Sequence, residues 1–104
     1  MRIGEAVRLR ILELCRERDL SVNKLSGMCG LTQSTLNNIV SGRNNSATVS
    51  TVKKICDGLD ISILEFFNCP LFEDLEQEIR YNAPRRLTFP HIHVIIYQLK
   101  YKFK

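Results

Sequence analysis

The sequence predicts an all-α fold of five short helices, followed by a C-terminal extension that carries a strand signal. Three observations lead there. Apolar residues recur at three- and four-residue spacing as far as Phe67, the period of a helix with one buried face. The segments so defined are separated by short breaks bearing Ser, Thr or Gly, the residues that cap helices. An alternation of period two, the mark of a strand, sets in at Tyr97.

Residues 5–18, EAVRLRILELCRER, put Ala6, Val7, Ile11, Leu14, Cys15 and, in part, Leu9 at helical spacing, with charges filling the rest. This first helix ends before Asp19-Leu20-Ser21, where Leu20 turns inward and Ser21 is suited to cap a second helix. That helix, residues 22–30, sets Leu25, Met28 and Cys29 on its inner face. Gly30 is its expected stop, because glycine takes the left-handed conformation at a helix end without strain. Thr32 caps a third helix from Gln33 to Ser41, which Gly42 ends. Two short helices joined by a tight, Gly-containing turn make a helix-turn-helix unit.

Residues 43–47, RNNSA, are a loop by composition. Thr48 caps a fourth helix over 49–59, with Val49, Val52, Ile55, Cys56 and Leu59 along one face. The run SILE, residues 62–65, matches the Ser-x-x-Glu capping box and opens a fifth helix through Phe66 and Phe67. The helical domain is thus placed at 1–68. Residues 69–84 come next as an acidic segment, weakly helical and then a linker, and 85–104 as a basic tail.

Charge is spread unevenly along these parts. Residues 1–68 hold nine Lys/Arg against seven Asp/Glu, 69–84 one against four, and 85–104 five against none. The net charge of +4 therefore owes more to the tail than to the helical domain. Basicity alone would overstate the case for a nucleic-acid partner.

Several classes of function drop out. No run of about 18 apolar residues spans a membrane. The charged N-terminus lacks the apolar core of a secretory signal, so a cytoplasmic protein without membrane contact is expected. The cysteines at 15, 29, 56 and 69 form no Cys-x-x-Cys pair; the first three fall on apolar helical positions, where free Cys acts as a small hydrophobe. Free thiols are expected. His91 and His93 supply two ligands without a third, short of a zinc site. No Ser-His-Asp set, phosphate-cradling Gly loop or carboxylate pair is visible. No catalytic residues, metal or cofactor are expected, and the protein is read as a non-enzyme.

The third helix is the unusual one. Gln33, Ser34, Asn37 and Asn38 share one face, and Leu36, Ile39 and Val40 lie on the other. The outer face is polar yet uncharged. Asn and Gln offer a donor and an acceptor together, matching N6 and N7 of adenine in the major groove, and Ser adapts to either role. Ordinary solvated surface is the competing reading, but two adjacent Asn in a helix cost stability relative to Ala.

The stretch from Leu20 to Phe67, with LSVNKLSGMCGLTQSTLNNIVSG and then TVKKICDGLDISILEFF, resembles the phage-repressor-like helix-turn-helix family, the Cro/repressor or XRE-like domains of lambda-repressor-like fold. Leu25, Cys29, Leu31, Leu36 and Ile39 occupy the core positions of its pattern. Ser26 stands where a small residue lets two helices cross, and Gly30 in the turn. The resemblance implies that Gln33, Ser34, Asn37 and Asn38 face bases. It places Thr32 and Thr35 near the sugar-phosphate backbone and Arg43 on a phosphate. The start of helix two also meets phosphate in the family. Here Val22 departs from that pattern, leaving Ser21, Asn23 and Lys24 for the role. The loop before helix four, often basic in the family, offers Asn44, Asn45 and Ser46 instead. Lys53 and Lys54 read as solvated face rather than as contacts.

The tail has no counterpart in that resemblance. Tyr97, Leu99, Tyr101 and Phe103 alternate with Gln98, Lys100, Lys102 and Lys104. A lone strand leaves its backbone unpaired, so it needs a second strand or a second chain. Three readings stay open: a strand that pairs across a dimer, an extension with no selected role, and a nucleic-acid contact through Arg85 and Arg86. For the whole chain the expectation is a dimeric, sequence-specific regulator of transcription, a repressor, bound to double-stranded DNA. The alternative is an antitoxin-type module that grips a toxin or effector protein and binds DNA to regulate itself.

Overall fold

The structure, a computed structural model, describes residues 1–79. The expected strand and every residue of the tail lie outside the described residues. Within them the fold is all helical: α1 (Ile3–Glu17), α2 (Val22–Cys29), α3 (Gln33–Val40), α4 (Val49–Leu59) and α5 (Ile63–Phe67), then a 3-10 turn at Pro70–Phe72.

Four of the helices start in the same way. The hydroxyls of Ser21, Thr32, Thr48 and Ser62 accept the backbone N–H three residues on, from Lys24, Thr35, Thr51 and Glu65, at 3.0–3.1 Å. Each bond satisfies one of the four donors that a helix start leaves unpaired. The Ser62–Glu65 bond is the serine half of the expected capping box. Gly30 and Gly42 take positive φ, +68° and +85°, where the chain leaves α2 and α3.

Leu25, Leu36, Ile39, Ile55, Leu59 and Phe66 are almost wholly buried, joined by Ile11 of α1. The close crossing of α2 and α4 holds the unit together. At Gly58 a Cβ would lie 2.7 Å from the Cys29 sulfur and 3.0 Å from the Met28 carbonyl oxygen. Ser26, also buried, ties its hydroxyl to the Asn23 carbonyl at 2.7 Å. Two residues expected on inner faces differ. Met28 is 44% exposed and Val49 is 77% exposed. Val49 is the first residue of α4, and it projects over a cleft rather than into the core.

Arg10 lies inside the apolar stripe of α1 and is buried. Its Nε donates to the Phe66 carbonyl (2.7 Å), one terminal nitrogen to the Glu65 carbonyl (2.9 Å) and the other to Glu13 (2.6 Å). Arg18 does the same for α4, donating to the Leu59 carbonyl at 2.6 Å. Cations at these helix ends meet both the unpaired carbonyls and the negative end of the helix dipole.

The acidic segment, expected to be weakly helical, is a 3-10 turn and then irregular chain as far as it is described. Leu71, Phe72, Leu75 and Ile79 have helical spacing, but a helix would stack Glu73 on Glu76 and Asp74 on Glu78, like charges that destabilise it. Phe72 packs against the core, with its ring 4.7 Å from that of Phe67, which is 4.9 Å from Phe66. The chain then crosses the start of α1, where Glu76 N–H donates to the Met1 carbonyl (2.9 Å) and Arg2 pairs with Glu78 (2.6 Å).

The four cysteines are free, with Cys15, Cys29 and Cys56 buried. Burial pushes the Cys29 thiol up from 9.0 to about 11, and the neighbouring Cys15 and Cys56 add to the rise. Among the described residues no helix is long and apolar enough to cross a membrane, and no cluster of ligating side chains fits a metal.

Two features of this core can be tested by substitution. Arg10→Met keeps the stem but strands the buried Phe66 carbonyl and the partly buried Glu65 carbonyl, and should lower unfolding free energy by about 2–3 kcal/mol in urea; Arg16→Met, on the exposed side, should leave the midpoint unchanged. Cys29 has a raised folded pKa, so its contribution is complete below pH 9 and is lost as pH climbs toward about 11. Stability measured across that window should fall less steeply in Cys29→Ala than in the native protein, and equal slopes would refute the assignment.

Candidate nucleic-acid interface

The helix-turn-helix places α2 and α3 around Gly30-Leu31-Thr32. Leu36 and Ile39 anchor α3, at 0% and 2% exposure. On its outer side Gln33, Ser34, Thr35 and Asn37 are exposed, whereas Asn38 is half-buried. Asn38 also belongs to the loop beyond α3, since its backbone carbonyl accepts from Asn44 N–H (2.9 Å) and from the Ser41 hydroxyl (3.3 Å). Three side chains of the predicted face are thus fully presented, and the fourth is shared with the helix–loop junction.

The residues expected near a backbone are all on the surface, and several already spend one hydrogen-bonding capacity locally. Ser21 accepts the cap bond from Lys24 N–H and keeps its own proton. Thr32 caps Thr35 N–H and donates to the Thr35 hydroxyl at 2.8 Å, so the Thr35 proton is the one left over. The Asn44 side-chain oxygen accepts Ser46 N–H at 2.8 Å, leaving its NH2 group to donate. Each of these groups keeps a free donor, which an acceptor-only phosphate can take up. Asn23, Lys24, Arg43 and Asn45 are exposed. Lys24 and Arg43 form no ion pair among the described residues, while Lys53 is paired with Asp57 one turn along α4.

Charge along this segment is one-sided. From Leu20 to Cys56 there is no Asp or Glu, while Lys24, Arg43, Lys53 and Lys54 fall within it. The stretch runs from the cap of α2 through most of α4. The carboxylates of the domain are confined to α1 with the turn after it and to the chain from Asp57 onward.

Comparison with known proteins agrees with this geometry. The model of the Cro/C1-type HTH DNA-binding domain matches residues 10–71. The chain belongs to this family. Among solved structures, the crystal structure of the prophage Lp1 protein 11 is similar, with a TM-score of 0.63 and 34% identity, covering 72% of this chain and 100% of that one. A comparison with curated proteins gives no match.

In this Cro/C1-type domain, charge totals along the sequence miss three features. The acid-free stretch is legible, but a total over residues 1–68 averages it away. Arg10 stands at the i+3 position after Val7, within the apolar stripe, and by residue type alone reads as a surface charge. Arg8 lies beside the end of α3, its Cδ 4.0 Å from where a Cβ on Gly42 would sit, with Glu5 3.8 Å from its guanidinium. Only the fold brings the start of α1 to the α3–α4 loop, so no spacing announces that contact.

Gly4 permits it. A Cβ there would overlap the Asn45 carbonyl oxygen. Gly4→Ala should push the loop away, shift the amide resonances of residues 43–48 and cost about 1–3 kcal/mol. Gly27→Ala provides the opposite sign: it has open space around it on α2 and should stabilise by about 0.5–1 kcal/mol.

Proposed function

We propose that this Cro/C1-type domain is a sequence-specific transcription repressor that binds operator DNA as a homodimer, with α3 in the major groove. Gln33, Ser34, Asn37 and Asn38 read base edges in this assignment. Ser21, Asn23, Lys24, Thr32, Thr35, Arg43, Asn44 and Asn45 hold the sugar-phosphate backbone. The observation that carries it is the pairing of an uncharged amide face with a surrounding stretch, Leu20 to Cys56, that holds no carboxylate side chain. A polyanion meets no repulsion there. The bases meet groups that discriminate rather than merely attract. Two α3 helices one DNA turn apart would read a two-fold site. The similarity to a prophage protein fits a regulator of bacterial or phage type acting in the cytoplasm, and the role is binding rather than catalysis.

Reading and holding separate experimentally. Gln33→Ala and Asn37→Ala remove exposed amides without changing charge. Each should cost about 1–3 kcal/mol against the preferred site and relax selectivity at one base pair per half-site. Arg43→Ala should weaken all sequences alike and reduce the log–log salt slope by about one unit per half-site. Circular dichroism first establishes that each variant is folded. Folded amide variants with full operator affinity and selectivity would discard base reading by α3. An antitoxin-type protein-binding module would then be the better account.

A further inference from the structure

Two points of contact join the start of α1 to the segment between α3 and α4. At Gly4 the backbones meet, since a Cβ there would overlap the Asn45 carbonyl oxygen. One turn on, the Arg8 side chain lies along the end of α3, with its Cδ 4.0 Å from where a Cβ on Gly42 would sit. The first two turns of α1 therefore adjoin both ends of residues 42–45. That segment carries three of the backbone contacts assigned above, Arg43, Asn44 and Asn45.

The Arg8 guanidinium has donors to spare among the described residues. Its carboxylate neighbour, Glu5, stands 3.8 Å away, beyond hydrogen-bond length. Arg2, Arg10 and Arg18, by contrast, each donate at 2.6–2.9 Å. The Arg8 side chain is 28% exposed, so its stem is covered while its head reaches water. Glu5 has a use of its own in the first turn of α1, where a carboxylate suits the positive end of the helix dipole. We propose that Arg8 is a further DNA-backbone contact, donating to a phosphate beside residues 42–45, with Glu5 as the competitor which that phosphate displaces. A guanidinium offers its planar fork to two phosphate oxygens at once, a better partner than one carboxylate oxygen out of reach. The inference rests on the placement of residues 43–45 on the DNA backbone proposed above. It adds to that interface a helix outside the helix-turn-helix.

The test uses the full-length chain and a random-sequence duplex of about 30 base pairs, because a phosphate contact needs no operator. Affinity is measured across salt concentrations for Arg8→Gln, Glu5→Gln, the double variant and Arg43→Ala, each first shown to be folded by circular dichroism. Arg8→Gln should weaken binding about three- to tenfold and lower the log–log salt slope by about one unit per chain bound. Arg8→Met, which keeps an apolar stem against Gly42, gives the same readout where Arg8→Gln fails to fold. Arg8→Lys should keep the native slope. Glu5→Gln should strengthen binding a few-fold, and should do so only while Arg8 is present. An unchanged slope in Arg8→Gln, with Arg43→Ala lowering it, would overturn this inference and leave the reading of the α3–α4 loop standing; unchanged slopes in both would overturn the two together. An equal gain from Glu5→Gln with and without Arg8 would mark a general field effect, and would also overturn the contact.

Discussion

The buried guanidinium of Arg10 is the constraint on which the rest of the domain leans. It joins the middle of α1 to the last carbonyls of α5 with two hydrogen bonds and to Glu13 with a third. A cation taken out of water is tolerated only when its donors find acceptors, and here the acceptors are the ones that a helix end cannot satisfy internally. α5 has five residues, far too few to be stable alone. Its existence depends on the Ser62 cap at one end, Arg10 at the other, and Phe66 buried between them.

Fixing α5 has consequences on both sides of it. Towards the C-terminus, Phe66, Phe67 and Phe72 form an edge-packed cluster that brings the chain back across α1. Towards the helix-turn-helix, Ile63 and Phe67 line a cleft that the α3–α4 loop also lines. Gly4 sets the height of that loop by letting the first turn of α1 touch Asn45. The loop after α3 is therefore positioned by α1 from one side and tied to the Asn38 carbonyl from the other.

Most of the architecture was legible because helix starts are local chemistry. Ser21, Thr32, Thr48 and Ser62 each announce a cap, and each forms one. Gly30 and Gly42 announce stops, and both take the positive φ that favours glycine. What escaped the sequence depends on elements far apart in the chain. Arg10 looks like one more surface charge until α5 is brought over it. Val49 fits the apolar period of α4, yet it stands on a rim because nothing among the described residues is packed above the first turn. The exposed amide face came from i and i+4 spacing alone, but the half-burial of Asn38 did not, since it arises from the fold of the next loop.

The same physics explains why α3 can carry such an unpromising surface. Asn, Ser and Thr are weak helix formers, and an eight-residue helix built from them would melt in isolation. α3 persists because Leu36 and Ile39 are buried, each contributing about 1.5–3 kcal/mol, and because Thr32 closes its first turn. Stability thus resides on the inner face and at the cap. The outer side chains are released from holding the helix together and can be chosen for what they contact. Placing the basic residues beside α3 rather than on it extends that separation. In the proposed role, attraction would come from the flanks, and discrimination would fall to amides whose hydrogen bonds form only where donor and acceptor both match.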